Sequence, residues 1–259
     1  MTDTRLQGVG VLVTRPRAQA AELIKSIEDH GGRAICFPVI EIVPRDRADV
    51  EADAAHLPKP DIALFVSSNA VAYGLSHADD AIKVAIGPAT AAAIEAAGQS
   101  VDISPADGYD SESLLQEPAL QSVSGKHVRI IRGGEGRELL ANTLRERGAF
   151  VDTLSVYERQ LPNISTAALD EVETAWLAGQ IDAVTVMSVE TLNNLACALP
   201  KSMRNALANV ALVTPAARVI KELLDRFPAS NPVLASGVLA TDMVDAIMTI
   251  HRTDLGQAP

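Results

Sequence analysis

The chain has 259 residues, of which 47% are hydrophobic, 21% charged and 3% aromatic, and it carries a net charge of −11. That length holds one large domain or two small ones, and the acidity excludes general nucleic-acid binding, which needs a basic footprint. No apolar run reaches the roughly 18–20 residues that span a bilayer, no signal peptide precedes the first strand, and the isolated Cys36 and Cys197 and scattered histidines lack disulfide or metal spacing, so a cytoplasmic protein without a metal is expected.

Residues 9–14 are apolar and β-branched and predict a buried strand. Pro16 opens a helix with Ala20, Leu23, Ile24 and Ile27 on one face, and Gly31-Gly32 ends it. Residues 37–43 read as extended between Pro38 and Pro44, and 49–56 as a helix closed by Pro58 and Pro60. Strand 62–66 leads through Ser67, Ser68 and Asn69, all good N-cap types, into helix 70–75. Strand 84–86 turns at Gly87-Pro88 into helix 89–97, followed by a strand at 101–103 and a helix over 111–120 interrupted at Pro118. Strand 128–131 meets a glycine-dense turn and a helix over 137–147, and residues 151–159 are extended up to Pro162. Helix 166–178, strand 183–187, helix 190–198, strand 210–213, helix 216–225, a short strand near 233–234 and helix 239–250 complete the chain.

Strands alternating with helices predict parallel sheets with helices on both faces. The pattern also occurs twice. An offset of 117 residues carries Gly8 onto Gly125, residues 11–16 onto 128–133, Gly31 onto Gly148 and Val39 onto Val156. At slightly larger offsets, 61–67 pairs with 182–188 and 84–86 with 210–212. A duplicated α/β unit predicts two similar lobes and hence a cleft.

In such sheets ligands sit beyond the carboxyl ends of the strands. Arg15, Ser67-Ser68-Asn69, Gly87, Arg132-Gly133, Ser188 and Thr214 stand there. The turn from Arg132 through Gly133, Gly134 and Gly136 to Arg137 can offer backbone amides and two-point arginine contacts to an anion. It lacks the Walker and dinucleotide spacings, and an ordinary tight turn with solvated arginines is the other reading. The hydroxyls of Ser67 and Ser68 either cap a helix or hold an anion, and both readings stand. Tyr157 is one of three tyrosines and lies in an extended segment; such a hydroxyl can donate a proton, or the ring can be half-buried packing. No nucleophilic triad is visible.

The chain resembles the uroporphyrinogen-III synthase family along its whole length. The matching segments are 11–16 (VLVTRP), 37–44 (FPVIEIVP), 64–71 (LFVSSNAV), 85–98 (AIGPATAAAIEAAG) and 130–162, the most specific. The resemblance implies two doubly wound parallel-sheet α/β lobes joined by a two-stranded β linker, with the N-terminal βα unit packed into the C-terminal lobe. One lobe is then 1–36 with 164–259, the other 45–152, and the linker strands 37–44 and 153–163. It implies cyclisation of hydroxymethylbilane to uroporphyrinogen III in tetrapyrrole (haem) biosynthesis. Water is lost and the terminal pyrrole ring is inverted through a spirocyclic intermediate. No cofactor is implied.

The substrate carries eight carboxylates, and the resemblance makes Arg15, Ser67, Ser68, Asn69, Thr90, Arg132, Gly133, Arg137 and Ser188 the expected substrate-binding residues. Tyr157 is expected to assist departure of the hydroxyl. The turn Thr214-Pro215-Ala216 departs from the family pattern, and no site is expected in it. A monomer is expected, with neither nucleic-acid nor membrane partner, and with the bilane received in a transient hand-over from the enzyme that forms it. The alternative is a non-catalytic bilobal sensor of a tetrapyrrole or other polyanion. A mononucleotide-binding enzyme is weakened by the missing phosphate loop.

Overall fold

A computed structural model of the chain describes residues 4–78, 80–106, 108, 110–134 and 138–255. In chain order it begins with β1 (Gly10–Val13), α1 (Arg17–Asp29), β2 (Arg33–Cys36) and β3 (Glu41–Pro44). Next come α2 (Arg47–Ala55), β4 (Ile62–Phe65), α3 (Ser68–Gly74), β5 (Ile82–Ala85), α4 (Pro88–Ala96) and the short α5 (Ser111–Leu114) and α6 (Pro118–Gln121). Then follow β6 (His127–Gly133), α7 (Leu139–Glu146), β7 (Phe150–Gln160), α8 (Thr166–Leu177), β8 (Ala183–Thr185), α9 (Val189–Ala198) and α10 (Lys201–Ala206). The last elements are β9 (Ala211–Thr214), α11 (Ala217–Arg226), β10 (Asn231–Leu234) and α12 (Ala240–Leu255).

The elements form two compact units, 1–41 with 160–259 and 42–159. The first holds a sheet in the order β10-β9-β8-β1-β2, the second a sheet in the order β3-β7-β6-β4-β5. The pairings along β10-β9-β8-β1-β2 and along β7-β6-β4-β5 are all parallel. The N-terminal βα unit is therefore built into the C-terminal lobe, since β1 pairs with β8.

The duplication is visible strand by strand. In the first unit β2-β1-β8-β9-β10 follows the same path as β7-β6-β4-β5 and the isolated parallel bridge at Ile103 in the second. Each sheet is thus closed by the opening βαβ unit of the other repeat. Gly31 and Gly148 both sit at positive φ, +83° and +86°, where only glycine is unstrained, and each ends the helix of its repeat. The strand entries match as well. Gly10 N–H donates to the Asp182 carboxylate at 2.7 Å, and His127 N–H to that of Asp61 at 2.8 Å. Asp182 and Asp61 return their own amides to the carbonyls of Gly10 and His127, both at 2.8 Å. Asp182→Ala removes a charged acceptor from a part-buried amide and is expected to cost about 2 kcal/mol, read as a lowered denaturant midpoint at unchanged slope.

Alternation along each strand feeds two cores, one per sheet face. Leu12, Val184 and Leu212 point to the face covered by α8, α9 and α11, whereas Val11, Val13, Ala183 and Val213 point to α1 and α12. In the second unit Ala63, Phe65 and Ile131 face α3 and α4, whereas Ile62, Leu64 and Ile130 face the side of α5, α6 and α7. No helix among the described residues is long and apolar enough to cross a membrane.

One strand is added and two expectations change. Residues 33–36 are a strand of their own, because Arg33 to Cys36 pair with Gly10 to Val13. Residues 37–40 are not strand, and Phe37 and Val39 are buried in the core of the first unit. Strand 101–103 shrinks to a single bridge between Ile103 and Val84.

Candidate functional site

Both sheets change direction at a switch point, between β1 and β8 in the first unit and between β6 and β4 in the second. Helices leave such a point on opposite faces and open a crevice at the carboxyl strand ends. Ser67 follows β4 and Arg132-Gly133 ends β6, so the second unit carries its candidate residues at its switch. Arg15 and Ser188 follow β1 and β8 and do the same in the first.

In the second unit, Tyr157 is central. It lies on β7 beside the end of β6 and is only 1% exposed, more deeply buried than an alternating strand pattern implies. Its hydroxyl is 3.0 Å from Ser67 Oγ. The same Ser67 oxygen accepts the Ala70 amide at 3.0 Å and so caps α3. The Tyr157 ring lies against Gly133, where a Cβ would come within 2.2–2.5 Å of three ring carbons. It also meets Tyr73 with ring centroids 6.2 Å apart. The end of β6 is bent to make this fit. The register with β7 shifts between Arg132 and Gly133, so that Gly133 pairs with Tyr157. Gly134 N–H then donates to the Tyr157 carbonyl at 2.9 Å and to Ser155 Oγ at 3.0 Å. A bulge of this kind re-aims the chain at a sheet end.

Arg132 places one guanidinium nitrogen 3.3 Å from Glu138, while its Nε is buried and has no partner among the described residues. Its repeat counterpart Arg15 has the same character. Its Nη2 donates to the Val238 carbonyl at 2.7 Å, and its Nε too is buried and unpartnered among the described residues. Burial pushes the Arg15 guanidinium below its ordinary pKa, partly offset by the nearby Glu22 carboxylate; an arginine so placed still remains charged at neutral pH. Equivalent positions of the two repeats thus each carry an arginine whose Nε is buried and unpartnered among the described residues, a feature that Arg204 shares.

Ser188 is the counterpart of Ser67 and caps α9 by accepting the Thr191 amide at 3.1 Å. Its second contact is the Thr191 hydroxyl at 3.0 Å rather than a tyrosine. The position equivalent to Tyr157 in the first repeat is Ile40, so this crevice has no phenol. Ser68 and Asn69 are partly exposed in the first turn of α3. Thr90, expected to offer a hydroxyl, is 3% exposed and faces the interior. Arg137, with Glu135 and Gly136, lies outside the described residues. The divergent turn after β9 is held locally, since Thr214 Oγ1 accepts the Ala216 amide at 3.2 Å.

Sequence reasoning missed several partners. Thr14 and Thr185 are fully buried and hydrogen-bonded across the switch of the first unit. Tyr73 and Ser155 support Tyr157 and the bulge. The β-branched type of the threonines reads only as strand, and nothing in the sequence links Ser67 to a residue ninety positions away.

Two doubly wound lobes made by exchange between duplicated halves, each with polar groups at its strand-end switch, define a duplicated α/β protein with two parallel-sheet lobes. Residues 21–228 match the family profile described as "Uroporphyrinogen-III synthase HemD". The uroporphyrinogen-III synthase of Escherichia coli K12 is 34% identical over 205 residues, which cover 76% of this chain and 82% of that protein. The enzyme of that name from Proteus mirabilis is 31% identical, covering 72% of this chain and 97% of its own. The chain belongs to the uroporphyrinogen-III synthase family. The uroporphyrinogen-III synthetase of Helicobacter pylori shares the fold with a TM-score of 0.63, covering 93% of this chain and 99% of that one at 12% identity.

Proposed function

We infer that this chain catalyses the uroporphyrinogen-III synthase reaction, closing hydroxymethylbilane to uroporphyrinogen III with loss of water and inversion of the terminal ring. The observation that carries the inference is the family match over residues 21–228. The reaction asks for two things. The terminal hydroxyl must leave, which needs a proton. The resulting azafulvene must then be held so that the far ring attacks through its substituted carbon, giving the spirocyclic intermediate that fragments and recloses.

Tyr157 is the proton source: it is a buried phenol held against Ser67 beside the switch of the second unit, and its repeat counterpart is Ile40. Arg15 and Arg132 hold substrate carboxylates through charge-assisted hydrogen bonds, supported by Ser68 and Asn69 in the second unit and Ser188 in the first. Gly133 contributes by making room for the Tyr157 ring. Thr90, being buried, is left out of this reading. Arg137 remains a proposed carboxylate ligand from the sequence alone. Residues 37–44 and 153–163 act as the linker between the lobes. Most of the rate enhancement comes from positioning, and the protein works as a monomer in the cytoplasm.

Arg132→Ala is expected to raise KM for the bilane about tenfold with a smaller change in kcat, the pattern of lost substrate binding. Steady-state rates across bilane concentration check this. The reaction itself is tested by generating hydroxymethylbilane in situ and following its disappearance with a reagent for free pyrrole α-positions. Faster loss with the protein than without it is expected; a rate equal to the spontaneous one would overturn the reading.

A further inference from the structure

We propose that Ser67, not Tyr157, is the group that touches the departing hydroxyl, and that Tyr157 supplies its proton through Ser67. The proposal rests on the reaction assigned above and specifies the path of the proton within the same site.

Hydrogen-bond stoichiometry carries the argument. A serine hydroxyl has two acceptor lone pairs and one hydrogen, and a phenol hydroxyl must place its hydrogen when buried. Tyr157 is 1% exposed, and among the described residues its hydroxyl meets one polar group, Ser67 Oγ at 3.0 Å. If Ser67 donated to Tyr157, the phenol hydrogen would be buried without an acceptor, an arrangement that folded proteins avoid. Tyr157 therefore donates and Ser67 accepts. The other Ser67 lone pair is taken by the Ala70 amide at 3.0 Å. With both acceptor sites filled, the Ser67 O–H is the one element of this cluster left free among the described residues. Ser67 is partly exposed, whereas Tyr157 is not. The serine thus presents the hydrogen at the carboxyl end of β4, beside Arg132 at the end of β6, and the phenol stands behind it.

The ring cannot be brought forward cheaply. It is packed against the backbone of Gly133 on one side and Tyr73 on another, and its own carbonyl is tied to the Gly134 amide at 2.9 Å. The step balances without any co-reactant. The carbon–oxygen bond of the hydroxymethyl group breaks as its oxygen takes the Ser67 hydrogen and leaves as water. The Tyr157 hydrogen moves to Ser67 Oγ. The substrate gives up its pyrrole N–H proton as the azafulvene forms, which reprotonates the phenolate by way of solvent.

Ser67→Asn separates this relay from the helix cap, because asparagine caps as well as serine but cannot accept and pass on a proton. The variant should fold with a melting temperature close to the parent's. Its single-turnover rate of type III product should fall by about 100-fold, the scale of a lost general acid, with KM changed no more than about threefold. Ser67→Thr, which keeps the hydroxyl, should recover most of the rate. The parent protein supplies a second test that needs no variant. Its single-turnover rate in mixtures of light and heavy water should follow a bowed curve, as two hydrogens in flight require. A straight line, or a fully active Ser67→Asn beside an inactive Tyr157→Phe, would overturn the relay and leave Tyr157 donating directly. A parent protein that makes no type III isomer at all would instead overturn the reaction assignment, and the relay with it.

Discussion

Tyr157→Phe is expected to lower the turnover of bilane to the type III isomer by about 100-fold or more, within the usual contribution of a positioned general acid. The change removes one oxygen from a buried ring and leaves its packing against Gly133 and Tyr73 intact. The fold should therefore lose only the net worth of the Ser67–Tyr157 hydrogen bond, about 1 kcal/mol. Ser67 keeps its capping contact with the Ala70 amide. The arginines at the strand ends are untouched, so KM should move little. The comparison to make is initial rate at saturating bilane, alongside a thermal melt of each protein. A variant that melts like its parent and turns over equally fast would remove Tyr157 from the chemistry.

Gly133→Ala should be as damaging by a different route. A methyl group there would sit 2.2–2.5 Å from the Cε2, Cζ and Cδ2 atoms of Tyr157. No carbon pair tolerates that distance, so the buried ring or the strand must shift. Overpacking of this sort costs about 1–3 kcal/mol, and the ring is expected to move enough to break its contact with Ser67. Turnover should fall at least as far as in Tyr157→Phe. Because the damage acts through the ring, it should vanish when the ring is gone. Adding Gly133→Ala to a Tyr157→Ala background is expected to be nearly neutral for stability, and a double-mutant cycle measures that coupling directly. Additive costs would mean that the glycine serves the bulge in β6 and not the tyrosine.

Much of this architecture was legible in the chain. Strand–helix units bounded by Gly8 and Gly31, and again by Gly125 and Gly148, repeat because each lobe solves the same packing problem, and helix ends at positive φ demand glycine. The exchange of βα units between halves follows from that repeat only with the help of the family resemblance. Helix α10 was not foreseen, since Pro200 and a mixed sequence hide its period. Strand β2 was not foreseen, and the extended run was placed at 37–43 instead, because Phe37 and Val39 are as apolar as any strand residue.

At the site, residue types were readable and partnerships were not. Ser67 and Ser188 both read as caps, and both do cap. That one of them also holds a buried phenol depends on β7 lying beside β6 with its register shifted at Gly133, a long-range fact of the sheet. The unpartnered Nε atoms of Arg15 and Arg132 belong to the same class, since exposed and buried arginines look alike in a sequence. The asymmetry between the two crevices, Tyr157 in one and Ile40 in the other, was written in the chain all along. It acquires meaning only once the repeats are superposed as strand orders.

Isomer identity is the most direct test of the whole account. Hydroxymethylbilane is generated in situ, the protein is added, the products are oxidised, and the porphyrin isomers are separated by chromatography. Spontaneous closure gives the type I isomer, so the reaction proposed for this chain predicts predominantly type III, in an amount that rises with protein concentration. Type I alone from a folded protein would contradict it.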